Sequence, residues 1–196
     1  MQKWNTAYPE LCDITTFLHQ AANLTEYIDE RAVNAEIWKD DLFISKTFNA
    51  VVHQLLLLQR HTEAMEKGRS SPPLVMREAM RRALIILFGL LRTKFSVHPS
   101  GIPQHRSRVK DLLVQCPVDW SAFLELRLWV LLTAGLAADD DESLWYINEI
   151  KCIMVEMRIS RWDDVVEVVR SILWMGETFR VSSDRPKGLF ELSAVG

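Results

Sequence analysis

The strongest constraint on the fold is an apolar stretch from residue 121 to residue 138, in which Glu125 and Arg127 are the charged exceptions. A helix that is apolar on every side is normally enclosed by other helices. The most apolar runs, 83–91 and 128–138, are well short of the roughly 20 residues that a membrane span needs. We therefore expect a buried central helix and no membrane partner.

Apolar residues elsewhere recur at the three- and four-residue spacing of an α-helix, and no segment alternates convincingly with the period of a β-strand. The patterns predict an all-α fold: a single array of about seven helices around a Trp- and Leu-rich central helix. We expect one domain over 1–196, with a partly irregular tail over 177–196 whose Leu189, Phe190 and Leu192 suit docking on the core. One predicted helix begins near Asp13. Four more cover 40–67, 74–95, 104–115 and 121–138, and two further helices begin at 139–142 and at Ser160.

Several residues are typical of helix ends. Asp13 suits an N-cap, because its side chain can accept a hydrogen bond from a backbone N–H. Ser160 with Asp163 three residues on resembles a capping box, and the helix that it opens is expected to end near Gly176.

Two stretches are expected to be loops. The first, 68–73, contains two serines and two prolines, which interrupt helices, and Gly68 suits the end of the helix before it. The second, 96–103, contains Pro99, Gly101 and Pro103.

Charge is unevenly distributed although the formal net charge is only −3. Residues 74–110 hold eight Lys or Arg and one acid, Glu78, whereas residues 139–196 hold twelve acids and seven bases. One interpretation is that the two regions lie near each other or are simply solvated. The other is that the basic region binds an acidic partner or nucleic acid. The slightly acidic chain, and the aliphatic residues between the basic ones, argue against nucleic acid.

One acidic pattern has a catalytic interpretation. Asp163, Asp164 and Glu167 match the DDxxE pattern with which all-α prenyl-diphosphate enzymes hold magnesium, because this spacing places carboxylates on one helix face. The same acids suit the first turn of a helix, where they favour the positive end of its dipole. An enzyme of this kind would need a second acidic cluster. The candidate, 139–142, lacks the acid four residues further on that the pattern requires. We prefer the first-turn interpretation; a small magnesium-dependent enzyme acting on a diphosphate is the alternative.

The remaining chemistry-bearing residues form no known motif. Cys12, Cys116 and Cys152 contain no CxxC pair, so we expect reduced, buried thiols. His53 and His61 lie two helical turns apart with no third ligand between them, and there is no HExxH, GxSxG or Gly-rich phosphate loop. We therefore predict no catalytic, cofactor-binding, metal-binding or DNA-binding residue and no cofactor. Residues 1–10 lack the apolar segment of a secretory signal.

The chain is unusual in having seven tryptophans. Five of them recur through the C-terminal half at helix starts or within apolar stripes. Large aromatic side chains at such places usually fill the space between crossing helices. We therefore interpret the tryptophans as core rather than as a ligand cage.

In order along the chain, these segments resemble the helical regulatory region of fungal-specific transcription factors. The matching segments are a Leu-rich helix (79–87), a Leu- and Trp-rich helix (123–132, then 135–138), a Trp-containing helix start (144–147), a capped helix start (160–165) and a Trp-containing helix end (172–174). Residues 41–58 resemble the segment that precedes them, so the likeness spans most of 41–175. That family usually closes the Trp helix with two glycines, whereas here Ala134 precedes Gly135.

The resemblance implies an all-α, non-enzymatic regulatory domain that acts in the nucleus. Such domains usually follow a six-cysteine zinc cluster that reads DNA, and this sequence, which resembles the C-terminal part of the domain, contains no such cluster. The resemblance therefore implies transcriptional protein partners and a possible small-molecule effector, with no direct nucleic acid contact by this chain alone. A generic helical scaffold is a further alternative.

Overall fold

The computed structural model describes residues 2–33, 36–58, 71–96, 101–116, 118–176, 178–179 and 187–188. Within these ranges there is no β-strand, and seven helices have nine residues or more. The all-α prediction is therefore confirmed. Leu189, Phe190 and Leu192 lie outside the described residues, as does most of the tail.

The helices are named here in chain order. They are α1 (Gln2–Ala7), α2 (Cys12–Ala32), α3 (Asp41–Phe43), α4 (Asn49–Leu57), α5 (Pro72–Lys94), α6 (Ile102–Gln115), α7 (Leu124–Leu136), α8 (Asp140–Met157) and α9 (Trp162–Arg170). Three 3₁₀ turns lie at Pro9–Leu11, Glu36–Lys39 and Ser121–Phe123, and a π-helical turn at Ile44–Phe48 joins α3 to α4.

Helix α7 lies at the centre, as its apolar sequence predicts. It packs against α5, α8 and α9, and its residues from Leu128 to Ala134 are all buried. The helix begins at Leu124, a little later than predicted, because Ser121–Phe123 forms a 3₁₀ turn. The Asp119 carboxylate accepts a hydrogen bond from the Ser121 N–H and stabilises that turn.

The tryptophans pack on the core, as predicted. Four are buried and three are half-buried against the same hydrophobic cluster. Trp129 is fully buried, and its Nε1–H donates to the carbonyl oxygen of Leu173 at 2.8 Å. This bond attaches α7 to the turn that follows α9. The buried ones are Trp4, Trp120, Trp129 and Trp162, and the half-buried ones are Trp38, Trp145 and Trp174.

Helices α7 and α8 approach each other closely at Gly135. A Cβ atom at this position would lie 3.3 Å from the Cβ of Tyr146, which is tighter than most such contacts. Tyr146 is buried and donates its hydroxyl hydrogen to the carbonyl oxygen of Arg106 on α6. The small residue that ends α7 therefore makes room for a tyrosine that joins α8 to α6.

Two predicted helix starts are wrong, by two residues at α2 and by one residue at α9. Helix α2 begins at Cys12 with Leu11 at the N-cap, and the Asp13 carboxylate binds Arg77 of α5. Helix α9 has Arg161 at its N-cap, and the Asp164 carboxylate accepts from the Arg161 N–H and its guanidinium.

Two predicted helices also end earlier than expected. Helix α9 ends at Arg170, and the chain turns through Ser171 and Ile172, so Gly176 does not end it. Helix α4 ends at Leu57 because Leu58 has an extended ψ of 132°, so the helix predicted over 40–67 is interrupted. Gly68 lies outside the described residues.

Three prolines of the expected loops, Pro72, Pro73 and Pro103, belong to helix starts, and Pro99 lies outside the described residues. Pro72 and Pro73 open α5, since a proline in the first turn has no hydrogen bond to lose. Pro103 does the same for α6, which follows Gly101 at a φ of +90°. Glycine suits that position because L side chains rarely adopt a left-handed backbone.

We expect Trp129→Phe to lower the free energy of unfolding by about 1–3 kcal/mol, because the buried Leu173 carbonyl loses its donor. Trp129→Ala is expected to cost about 3–5 kcal/mol through the cavity that it leaves. Urea unfolding measures both.

Trp145→Phe is the matched control. Trp145 is half-buried beneath Lys110, so this replacement is expected to cost at most about 1 kcal/mol, because phenylalanine keeps a weaker cation–π contact. An equal loss at positions 129 and 145 would contradict the central role of Trp129.

Candidate functional site

A groove that is open to a ligand runs along α2, with a volume of about 640 Å³. We call it the α2 groove. One of its walls is a single face of α2, because the residues that line it follow helical spacing. These residues are His19, Ala22, Asn23, Thr25, Glu26, Asp29, Glu30 and Val33.

The opposite wall of the α2 groove comes from the end of α9 and the turn after it. It is formed by residues from Arg170 to Trp174 and by Gly176. Ile172 and Leu173 are buried there, and Trp174 is half-buried against the ring of Phe179. Because Leu173 also accepts the hydrogen bond from Trp129, this wall is fixed directly to the central helix.

A contact between distant parts of the sequence joins α2 to the turn after α9 beside the groove. The Asp29 carboxylate accepts hydrogen bonds from the backbone N–H of Thr178 at 2.9 Å and from its hydroxyl at 3.0 Å. Thr178 is buried although it is polar. Asp29 therefore positions the turn after α9, while the neighbouring carboxylates of Glu26 and Glu30 are exposed.

The α2 groove is acidic. Glu26, Asp29 and Glu30 supply three carboxylates, against the guanidinium of Arg170 on the opposite wall. Glu30 also lies 3.8 Å from Arg31, but both side chains are about half exposed or more, and such surface pairs are weak. The net negative charge favours cationic groups and disfavours phosphate.

A second unusual feature is a cluster of buried charges on α5. Arg77, Glu78 and Arg81 are each only 1% exposed. Glu78 accepts two hydrogen bonds from Arg81, from Nε and Nη2, each at 2.8 Å, and lies 2.8 Å from Nε of Arg82. Arg77 binds Asp13 of α2. We call these five residues the α5 charge cluster.

The electrostatics of this cluster favour an ionised Glu78. Burial raises the pKa of a carboxyl group, but here the hydrogen bond from Arg81 and the charges of Arg81, Arg82 and Arg77 outweigh it. The pKa of Glu78 is therefore lowered from its ordinary value. Removing one partner from a buried ion pair strongly destabilises a fold, because the remaining charge is left without a partner. Glu78 is therefore a structural residue rather than a proton donor.

The uneven charge distribution of the sequence is explained in part by pairing between neighbouring helices. Arg106 of α6 pairs with Asp139 and Glu142 at the start of α8, and Lys110 lies 3.7 Å from Glu142. Lys110 also lies over the ring of Trp145. The prediction that the basic and acidic regions lie near each other is confirmed for these residues.

The acidic residues of α9 act at the first turn of the helix rather than as a metal site pattern. The hydrogen bonds from Arg161 lower the pKa of Asp164, whose carboxylate is thereby engaged, and Asp163 and Glu167 are exposed. Across the ranges that the structure describes, no group of three or more His, Cys, Asp or Glu side chains could hold a metal ion. Asp139 is the N-cap of α8, as its sequence position predicts.

The cysteines are free but not buried, so that part of the prediction is wrong. Cys12 and Cys152 are exposed and Cys116 is half-buried, because each lies on an outer helix face or at a helix end. His19 lines the α2 groove, His53 is exposed, and His105 lies 3.2 Å from a guanidinium nitrogen of Arg82.

Sequence reasoning missed both the α2 groove and the α5 charge cluster. For the cluster, a signal existed: Arg77 and Arg81 stand next to Met76 and Met80 in the buried stripe of α5. For the groove, helical spacing in the sequence indicates the wall on α2. The other wall comes from residues almost 150 positions later, and no local sequence pattern shows that these residues lie beside α2.

Comparison of the chain with protein families, with curated proteins and with solved structures finds no match. No helix among the described residues is long and apolar enough to cross a membrane.

We expect Glu78→Gln to lower the free energy of unfolding by about 3–5 kcal/mol, because it leaves buried guanidinium charges without their carboxylate. Asp111→Asn removes the acid of an exposed pair with Arg108 at the same three-residue spacing, and is expected to cost at most about 1 kcal/mol. Urea unfolding at neutral pH compares the two; similar losses would contradict the structural role of Glu78.

The stability that Glu78 contributes should depend on pH in one direction. Its pKa is lower in the folded chain than the ordinary 4.5, so its contribution is complete above that value and is lost as the pH falls through the lowered pKa. Urea unfolding at a series of acidic pH values should show wild type and Glu78→Gln converging. A difference that stays constant as the pH falls would show that the carboxylate is not ionised at neutral pH.

Proposed function

We propose that this chain is a non-enzymatic regulatory helical module of the kind found in fungal transcription factors. It acts in the nucleus through contacts with a protein partner or a small-molecule effector, and it has no DNA-reading zinc cluster of its own. The proposal starts from the ordered Trp- and Leu-rich segments that resemble that family.

The observation that carries the proposal is that these segments converge on one helix. Residues 79–87 lie in α5, residues 124–136 form α7, residues 144–147 lie in α8, and the last segments span the start of α9 and the turn after it. Helices α5, α8 and α9 all pack against α7. The resemblance therefore involves one packed unit rather than unrelated stretches, which supports a common structural role.

The acidic α2 groove is the surface through which we expect this module to act. Its carboxylates would repel the phosphates of a nucleic acid, which agrees with action through a protein or a cationic effector. The magnesium-dependent alternative gains no support from α9, where Arg161 engages Asp164.

To test the proposal, the full chain is fused to a heterologous DNA-binding domain in a fungal host that carries a matching reporter gene. We expect the fusion to raise or lower reporter transcription relative to the DNA-binding domain alone, because a regulatory module recruits its partner to the promoter. Trp129→Ala, which removes the core indole, is expected to abolish the effect. Unchanged transcription, with the fusion present in the nucleus at normal level, would contradict the proposal.

Selection from random duplex DNA with the isolated chain serves as the companion measurement. The proposal expects no enriched sequence, because the carboxylates of the groove repel phosphate. Enrichment of one sequence would instead indicate a DNA-binding protein.

A further inference from the structure

We propose that the α2 groove binds an extended, basic peptide segment of a partner protein, with Lys or Arg side chains facing Glu26 and Glu30 and an apolar side chain facing Trp174. This inference rests on the proposed regulatory function, because it names the partner chemistry of that module. The length, the two walls and the charge of the groove support it.

The length of the groove suits a peptide. The residues of α2 that line it run from His19 to Val33, and at 1.5 Å per residue they span roughly 21 Å. An extended chain rises about 3.4 Å per residue, so roughly six peptide residues fill this length. A compact metabolite would occupy only part of it.

The two walls of the groove suit an extended chain. Successive side chains of an extended segment point in opposite directions, so one set faces the carboxylates of α2 and the other faces the turn after α9.

The charges select a basic partner. Glu26 and Glu30 are one helical turn apart on α2, so their carboxylates are neighbours on the same face. Asp29 adds a third negative charge, while Arg170 is the one permanent cation among the lining residues. Such an arrangement attracts cationic side chains and repels an acidic segment or a nucleic acid.

The apolar part of the groove gives the peptide an anchor. Trp174 is half-buried and lines the wall opposite α2, and tryptophan is favoured at binding surfaces because of its large apolar ring. Val33, just after the end of α2, also lines the groove and is 71% exposed although it is apolar. An apolar side chain beside a basic one would cover these groups.

The test is affinity selection from a random eight-residue peptide library on the full-length chain. We expect the bound peptides to be enriched in Lys and Arg together with an apolar residue. For the charge-reversed variant Glu26→Lys with Glu30→Lys, we expect the preference to switch to Asp and Glu. A peptide selected on the wild type should bind this variant at least about tenfold more weakly.

Two further variants keep the test decisive. Glu10→Lys with Glu156→Lys changes the net charge equally at two exposed acids that do not line the groove, and it should retain the basic preference. Glu26→Gln with Glu30→Gln, which tests charge without reversal, should weaken binding less than the lysine pair does. Circular dichroism and thermal unfolding confirm that each variant is folded.

Several results would overturn the inference. They are no enrichment, enrichment without basic residues, or the same preference in wild type and the charge-reversed variant. Self-association that the charge-reversed variant abolishes, measured by sedimentation, would assign the groove to a second copy of this chain. A reporter effect without basic enrichment would reject this inference alone, whereas basic enrichment without a reporter effect would reject the proposed function alone.

Discussion

The burial of α7 is the constraint on which the rest of the structure depends. A helix that is apolar on all sides is stable in water only when other elements cover it, and α5, α8 and α9 do so. Trp129 extends this core outward, because its indole N–H holds the carbonyl oxygen of Leu173. The turn after α9, which forms one wall of the α2 groove, is therefore positioned by the same helix that organises the core.

The α5 charge cluster adds specificity to this core at an energetic cost. Removing Glu78 and the arginines around it from water costs free energy. The attraction between the charges offsets this cost only where each charge has a partner. Arg81 uses Nε and Nη2 to hold Glu78, while its buried Nη1 makes no hydrogen bond within the described part of the chain. Since Arg77 also binds Asp13, the cluster fixes α2 against α5 and so helps to place the other wall of the groove.

The fold class, the central helix and the packing role of the tryptophans were predictable, because they depend on local periodicity and on the size of the indole ring. Helix ends were less predictable: Asp13 suits an N-cap by type, but a distant partner, Arg77, takes its carboxylate. Cysteine is usually buried, but Cys12 and Cys152 are exposed, so the average tendency of a residue type does not determine the burial of a single residue. The α2 groove could not be predicted, since Asp29 and Thr178 meet only through tertiary packing.

Amide hydrogen exchange of the full chain tests most directly whether α7 is the central element on which the fold depends. The account predicts that the amides of residues 126–134 exchange only through global unfolding, with the same free energy that urea unfolding gives, while those in the last turn of α4 exchange sooner. If the α7 amides open at a free energy well below that of global unfolding, the central helix does not support the fold and the account is wrong.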